Sequence, residues 1–143
     1  APWRDRFAEP TASQLRTGLP SEATRSFDRV RRYLLTLDEV DETVEWYGQS
    51  WCWTLAYRVR REAEPLAVLI PSPEDLQLGM PVDPDFVEEL PVRRLKRGVR
   101  DGLDLAREPF DTRWAIWSMQ AGNLLEDLQD ILRRKLDFVR RSN

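Results

Sequence analysis

The chain of 143 residues contains no histidine and one cysteine. Histidine is the commonest general base and the commonest metal ligand, so its absence removes the usual route to both chemistries. The single cysteine, Cys52, cannot close an internal disulfide. That excludes a disulfide framework and points to a reducing compartment. A cysteine with no histidine cannot form a Cys–His nucleophile pair, and zinc sites built on histidine or on several cysteines are excluded too. Position 52, inside an aromatic strand-like stretch, suits a packed thiol. The sequence also lacks a GxSxG elbow, a phosphate loop and a GxGxxG turn. No run approaches the roughly 20 apolar residues that a membrane span needs. No basic start leads into an apolar stretch as in a signal peptide, so the expected location is cytoplasmic. Lysine is scarce: Lys96 and Lys135 stand against 20 arginines among 22 basic residues, a skew that fits genomic composition better than selection for phosphate forks. A net charge of −3 gives no overall attraction to nucleic acid or to an anionic membrane.

What the chain does have is tryptophan. Six are present, three of them in one short run, Trp46, Trp51 and Trp53, with Trp114 and Trp117 further on. The 41% hydrophobic and 33% charged residues are otherwise those of an ordinary globular domain, and the length suits one such domain with a real core.

Residues 1–20 hold three prolines and show no clean period. They read as a loose N-terminal arm that Trp3 and Phe7 pin to the body, and residues 21–143 read as one domain. Pro20 ends the arm, and Ser21 or Thr24 is placed to cap a helix. Phe27, Val30, Leu34 and Leu37 recur at three and four, which predicts an amphipathic helix to about Leu37 with Arg25, Arg29 and Arg32 on its wet side. Thr43–Gln49 and Ser50–Arg60 read as two strands of a hairpin turning through Gly48-Gln49-Ser50. Period-two alternation puts Trp51, Trp53, Leu55, Tyr57 and Val59 on one face, opposite Cys52, Thr54, Ala56, Arg58 and Arg60. Leu66–Ile70 is a short apolar run fit for a central strand, stopped by Pro71-Ser72-Pro73, and Leu76–Met80 reads as a further strand. Asp83-Pro84-Asp85 has the form of a cap with proline at the first helical position, starting a short helix to Leu90. Residues 92–99 alternate weakly, and residues 101–107 read as a brief helix. Residues 112–119 read as the last strand, with Trp114 and Ile116 opposing Ala115 and Trp117. Asn123 is placed to cap a long final helix with Leu124, Leu125, Leu128, Ile131, Leu132, Leu136 and Val139 as its stripe. The resulting expectation is an α+β fold: one mainly antiparallel sheet of about four to six strands against an N-terminal and a long C-terminal helix.

Burying five tryptophans in a small core is hard, because each is bulky and its N–H wants an acceptor. A sheet facing helices buries about half of these side chains, and core packing is the favoured account; an aromatic-lined face is the alternative, since small-ligand sites are typically apolar with a few polar groups. The expected ligand-binding set is therefore Trp46, Trp51, Trp53, Trp114 and Trp117, with Glu45, Tyr47, Arg58 and Arg113 supplying polarity. No catalytic residue is assigned, although Glu45 with Asp111 would make a carboxylate pair. Without histidine the one metal option is an all-carboxylate site for a hard cation such as Mg²⁺, Mn²⁺ or Fe²⁺. Asp38, Glu39, Asp41 and Glu42 crowd the end of the first helix, and Glu126, Asp127 and Asp130 sit on the last. The basic segment 93–97 with Arg100 is a local cationic cluster that acids at 83, 85, 88 and 89 offset, so no nucleic-acid partner is expected. The leading expectation is a non-enzymatic module that binds a small molecule or a protein through the aromatic face, without a cofactor. A homo-oligomer is compatible with such a face.

Several short stretches resemble the YdhG-like superfamily of small bacterial domains. Glu45-Trp46-Tyr47-Gly48 resembles that family's aromatic-Gly strand, and Leu76-Gln77-Leu78-Gly79-Met80 followed by Asp83-Pro84 resembles its L-x-L-G segment and D-P. Arg93-Arg94-Leu95-Lys96 looks like its basic strand, with Arg94 where the family often has histidine. The likeness runs over about residues 25–139 in element order, and the family's Gly-rich stretch before the basic strand is absent here. The resemblance implies a compact α+β domain of largely uncharacterised role. One branch is described as a frataxin-like iron chaperone, which implies iron at acids near the first helix, here Asp38, Glu39, Asp41 and Glu42.

Overall fold

The computed structural model describes residues 2–106, 113–119 and 122–142. In chain order the elements are α1 (Ala12–Thr17), α2 (Ser21–Thr36), β1 (Val40–Trp46), α3 (Gly48–Trp51), β2 (Trp53–Val59), β3 (Pro65–Pro71), β4 (Leu76–Pro81), α4 (Pro84–Glu89), a 3₁₀ turn (Val92–Arg94), α5 (Arg97–Asp104), β5 (Trp114–Ser118) and α6 (Leu125–Arg141). The five strands form one sheet in sequence order, and every neighbouring pair is antiparallel. Helices at both ends of the chain complete the expected α+β architecture.

The main core lies between one sheet face and the helices. The α2 stripe of Ala23, Phe27, Val30 and Leu34 and the α6 stripe of Leu128, Ile131, Leu132 and Leu136 are buried there with Leu55, Tyr57, Leu69, Leu78 and Trp117. Each such Leu or Phe contributes about 1.5–3 kcal/mol by leaving water. The two helices also meet directly, where the Tyr33 hydroxyl donates to the Gln129 carbonyl at 2.9 Å. Among the described residues, no helix is long and apolar enough to cross a membrane.

Several local expectations are corrected. The first 20 residues are less loose than their composition suggests. Thr11 and Gln14 close a capping box that starts α1, and Leu15 is buried. Trp3 ties the arm down through its carbonyl, which accepts from the Trp53 N–H, while Phe7 pins nothing and is 93% exposed. Ser21 is the first helical residue of α2 rather than its cap, and the Thr24 hydroxyl turns back to the Pro20 carbonyl. Asn123 does not cap α6, whose N-terminal flank is Leu124. Residues 92–99, whose weak alternation leaves the type open, form a 3₁₀ turn running into α5, not the basic strand that the resemblance implies for Arg93-Arg94-Leu95-Lys96. Asp83 does cap α4 through the Phe86 N–H, with Pro84 at the first position.

The largest difference falls at the first hairpin. Strand β1 begins three residues early, at Val40, and pairs Trp46 with Trp53. The connection is not a tight turn but the one-turn helix α3, entered through Gly48 at φ 78°. It leaves through Cys52, whose φ of 56° and ψ of −138° are glycine-like values. This reversal breaks the period-two alternation. Trp51 therefore lands on the sheet face opposite Trp53, not beside it.

Candidate functional site

The register sorts the aromatic residues into two groups. Trp46, Trp53 and Trp117 point to the helix face, and Tyr47, Trp51 and Trp114 lie on the other. On the helix face Trp46 meets Trp53 edge-on, with ring centroids 5.5 Å apart. The Trp53 indole donates to the Asp5 carbonyl at 2.6 Å and the Trp117 indole to the Val99 carbonyl at 3.0 Å. Both are thus satisfied core residues.

The opposite face carries a smaller apolar cluster of Trp51, Ala56, Val68, Ile70 and Trp114. Trp51 stacks on Tyr47 at 5.8 Å and meets Trp114 edge-on at 5.0 Å. Gly79 makes room for them: a β-carbon there would sit 3.4 Å from both indoles and 3.3 Å from Val68. Trp51 and Trp114 are 6% and 3% exposed. The Trp114 N–H finds no acceptor among the described residues.

The expected polar partners gather beside this cluster. Arg58 grips the Glu45 carboxylate with two N–H groups at 2.9 and 2.6 Å, reaches the Ala63 carbonyl at 2.9 Å and donates to the Tyr47 hydroxyl at 3.4 Å. Thr43 also donates to Glu45. The Arg58 hydrogen bonds hold the Glu45 carboxyl below its ordinary range, against the opposing effect of burial. Burial pushes the Tyr47 hydroxyl up. Glu45, Tyr47, Arg58, Trp51 and Trp114 are therefore brought together, with Trp46, Trp53 and Trp117 on the far side of the sheet. Arg113 is exposed. Asp111, the suggested partner of Glu45, lies outside the described residues.

Among the described residues the four acids at 38–42 are not grouped to hold a metal ion. Glu39 faces Arg140 at 3.8 Å, Asp41 faces Arg60 at 3.3 Å and Glu42 is forked by Arg31 at 2.8 and 2.9 Å. Glu42 also accepts from the Tyr57 hydroxyl at 2.8 Å across the helix face. Alternation along β1 sends Asp41 and Glu42 to opposite sides of the sheet, and Arg31 engages both Glu42 oxygens. On the last helix, Asp127 accepts the Lys96 backbone N–H at 2.7 Å and Asp130 pairs with Arg134 at 2.8 Å. Among the described residues no three acidic or thiol side chains are grouped to hold a metal ion.

The aromatic residues of the arm reach solvent beside α3. A groove of about 570 Å³ runs between the arm and α3, with Trp3, Phe7 and Trp46 as aromatic walls and Arg4, Arg6 and Cys52 also lining it. Trp3 is seated by its indole N–H, which donates to the Trp51 carbonyl at 3.1 Å, and the Arg4 guanidinium lies 5.4 Å over the Trp3 ring. Neither Arg4 nor Arg6 has an ion-pair partner among the described residues. The Cys52 thiol donates weakly to the Gln49 carbonyl at 3.4 Å, and burial pushes its pKa up while Arg4 opposes this. A second hollow of about 420 Å³ lies beside Ile116 and Trp117, where Asp101 is engaged by Arg97 at 3.9 Å.

Sequence reasoning found Trp46 but missed Arg4, Arg6 and Phe7 as a group, because no period marks them and nothing local shows that the arm docks at β2. Compared with known proteins, the chain matches no family model and no curated sequence.

Proposed function

We propose that this chain is a binding module whose groove between the arm and α3 takes a small anionic ligand with a flat apolar body. The observation that carries the reading is the pair of cations Arg4 and Arg6, without an ion-pair partner among the described residues, beside the aromatic walls Trp3, Trp46 and the exposed Phe7. A guanidinium forks a carboxylate, sulfonate or phosphate with two hydrogen bonds, and the rings offer stacking surface. Covering Phe7 would contribute about 1.5–3 kcal/mol. The buried tryptophans then serve as scaffold: Trp53 and Trp51 hold the arm, and the arm places Trp3 and both arginines. Binding suits the site better than catalysis. Burial raises the pKa of the Cys52 thiol, and the thiolate is the reactive form. Kinship with the YdhG-like domains belongs to the same proposal and rests on the short motifs alone.

The test is titration with naphthalene-2-sulfonate and with uncharged naphthalene, read by tryptophan quenching and thermal shift. Near 100 times its dissociation constant the sulfonate should stabilise by about 2.7 kcal/mol. The double variant Arg4→Gln/Arg6→Gln should weaken sulfonate binding roughly tenfold or more, since a hydrogen bond to a charged group contributes about 1.5–3 kcal/mol. Equal affinity for the two compounds, or an unchanged affinity in the double variant, would defeat the proposal.

A further inference from the structure

Helix α6 carries a residue that its apolar stripe should not contain. Lys135 stands four residues after Ile131 and three after Leu132, on the core side, and is 6% exposed. Its ammonium nitrogen donates to the Pro81 carbonyl at 2.8 Å. The same nitrogen lies 5.2 Å from the Phe86 ring centroid and 5.9 Å from that of Phe138. An ammonium has three donors, and here one carbonyl and two ring faces replace its water. No carboxylate pairs with it among the described residues. Buried amines of this kind are rare unless paired.

The amine also has room beside it. Lys135 lines a cavity of about 340 Å³ at the end of β2 remote from the groove. Val59, Leu66, Phe138 and Val139 form apolar walls, and Glu62, Glu64, Asp83 and Asp85 bring four carboxylates to the same cavity. The volume is that of a small-molecule site.

We propose that Lys135 is a reactive amine whose cavity takes small uncharged or cationic aldehydes and holds them as Schiff bases. A lysine desolvated in an apolar pocket is an activated nucleophile. Burial lowers the tendency of Lys135 to hold its proton, and Asp83 and Glu64 oppose this more weakly. The neutral amine adds its lone pair to the carbonyl carbon, and the carbonyl π pair becomes an oxyanion. The nitrogen loses a proton and the oxygen gains one, giving a carbinolamine. A second protonation of that oxygen lets it leave as water while the nitrogen lone pair closes the C=N bond, and the resulting iminium returns its N–H proton to solvent. The net change is amine plus aldehyde to imine plus water, with no oxidant or reductant. The four carboxylates repel anionic carbonyl compounds, so 2-oxo acids and phosphorylated aldehydes are outside the class.

The sequence supplies its own control, because Lys96 is the one other lysine and is exposed, donating to the Asn123 carbonyl. The full chain is treated with propanal and cyanoborohydride near neutral pH, which reduces any imine to a stable propyl amine, and adducts are mapped by peptide mass spectrometry. The expected result is a several-fold excess of label at Lys135 over Lys96. Glyoxylate in place of propanal should reverse the preference. Val139→Trp, which fills the cavity while leaving the amine in place, should abolish label at Lys135 alone. Label at Lys96 with Lys135 untouched in the folded protein would overturn the proposal, as would Lys135 labelling unchanged in Val139→Trp. Glyoxylate labelling Lys135 as readily as propanal would overturn the aldehyde class.

Discussion

A β-carbon built on Gly102 would lie 2.2 Å from the indole nitrogen of Trp117. Helix α5 therefore rests its backbone directly on the indole, and the same indole reaches past Gly102 to the Val99 carbonyl of that helix. Glycine inside a helix costs about 0.5–1 kcal/mol relative to alanine, so propensity alone would favour replacement. Here sterics win. Gly102→Ala must displace a buried ring that is fixed by a hydrogen bond, at about 1–3 kcal/mol. The expected outcome is a fall in Tm of several degrees with a changed tryptophan emission. A rise in Tm would show that α5 does not pack on Trp117.

Cys52 offers a second test of backbone against side chain. Its left-handed φ is compatible with glycine and strained for every other residue type. Strain of this kind costs about 1–3 kcal/mol, whereas the extra unfolded-state freedom of glycine costs about 0.4–1 kcal/mol. Cys52→Gly and Cys52→Ala both lose the buried thiol. Cys52→Gly should therefore be the more stable of the two by about 1 kcal/mol in urea unfolding. The opposite order would mean that α3 rearranges in the variants.

The same residue explains where the sequence was legible and where it was not. Strand β2 from Trp53 to Val59, the α2 and α6 stripes and the Asp83-Pro84 start of α4 obey local rules of period and capping, and all were readable. The sidedness of Trp114 and Trp117 was readable for the same reason. Trp51 was misplaced because alternation assumes extended backbone, and no rule marks a cysteine for a positive φ. The site fared similarly. Glu45, Tyr47 and Arg58 meet because β1 and β2 pair in the expected neighbourhood, but the groove depends on the arm crossing 48 residues of sequence to reach Trp51 and Trp53. Lys135 was readable in principle: it interrupts an apolar stripe at the i+4 position in a chain where arginine is the normal cation.

Glu45 sets a pH dependence. Its carboxyl is lowered in the folded chain from the ordinary value of 4.5, first by the Arg58 hydrogen bonds. A depressed carboxyl adds stability that is complete above the unfolded value and disappears as pH falls through the folded one. The pair is partly exposed, so its contribution is modest, about 0.2–1 kcal/mol. Glu45→Gln should lower the urea midpoint at neutral pH. The gap between the two proteins should narrow as pH drops below about 4.5 and close in strong acid. A gap independent of pH would remove the ion pair as its cause.

Trp114 and Trp117 provide a matched comparison, since they lie on the same strand, face opposite ways and are both 3% exposed. The Trp117 N–H is satisfied by Val99, and the Trp114 N–H is buried with no acceptor among the described residues. Phenylalanine at either position removes similar ring volume. At 117 it also removes a made hydrogen bond, and beside Gly102 the helix backbone has little freedom to close the gap. At 114 it removes an unsatisfied donor, whose burial costs about 1–3 kcal/mol, and so offsets part of the lost packing. Trp117→Phe should therefore destabilise more than Trp114→Phe by about 1–3 kcal/mol, or several degrees in Tm. Equal losses would mean that the Trp114 N–H is satisfied in solution, with water as the candidate acceptor, and hydrogen exchange at that indole would then be fast.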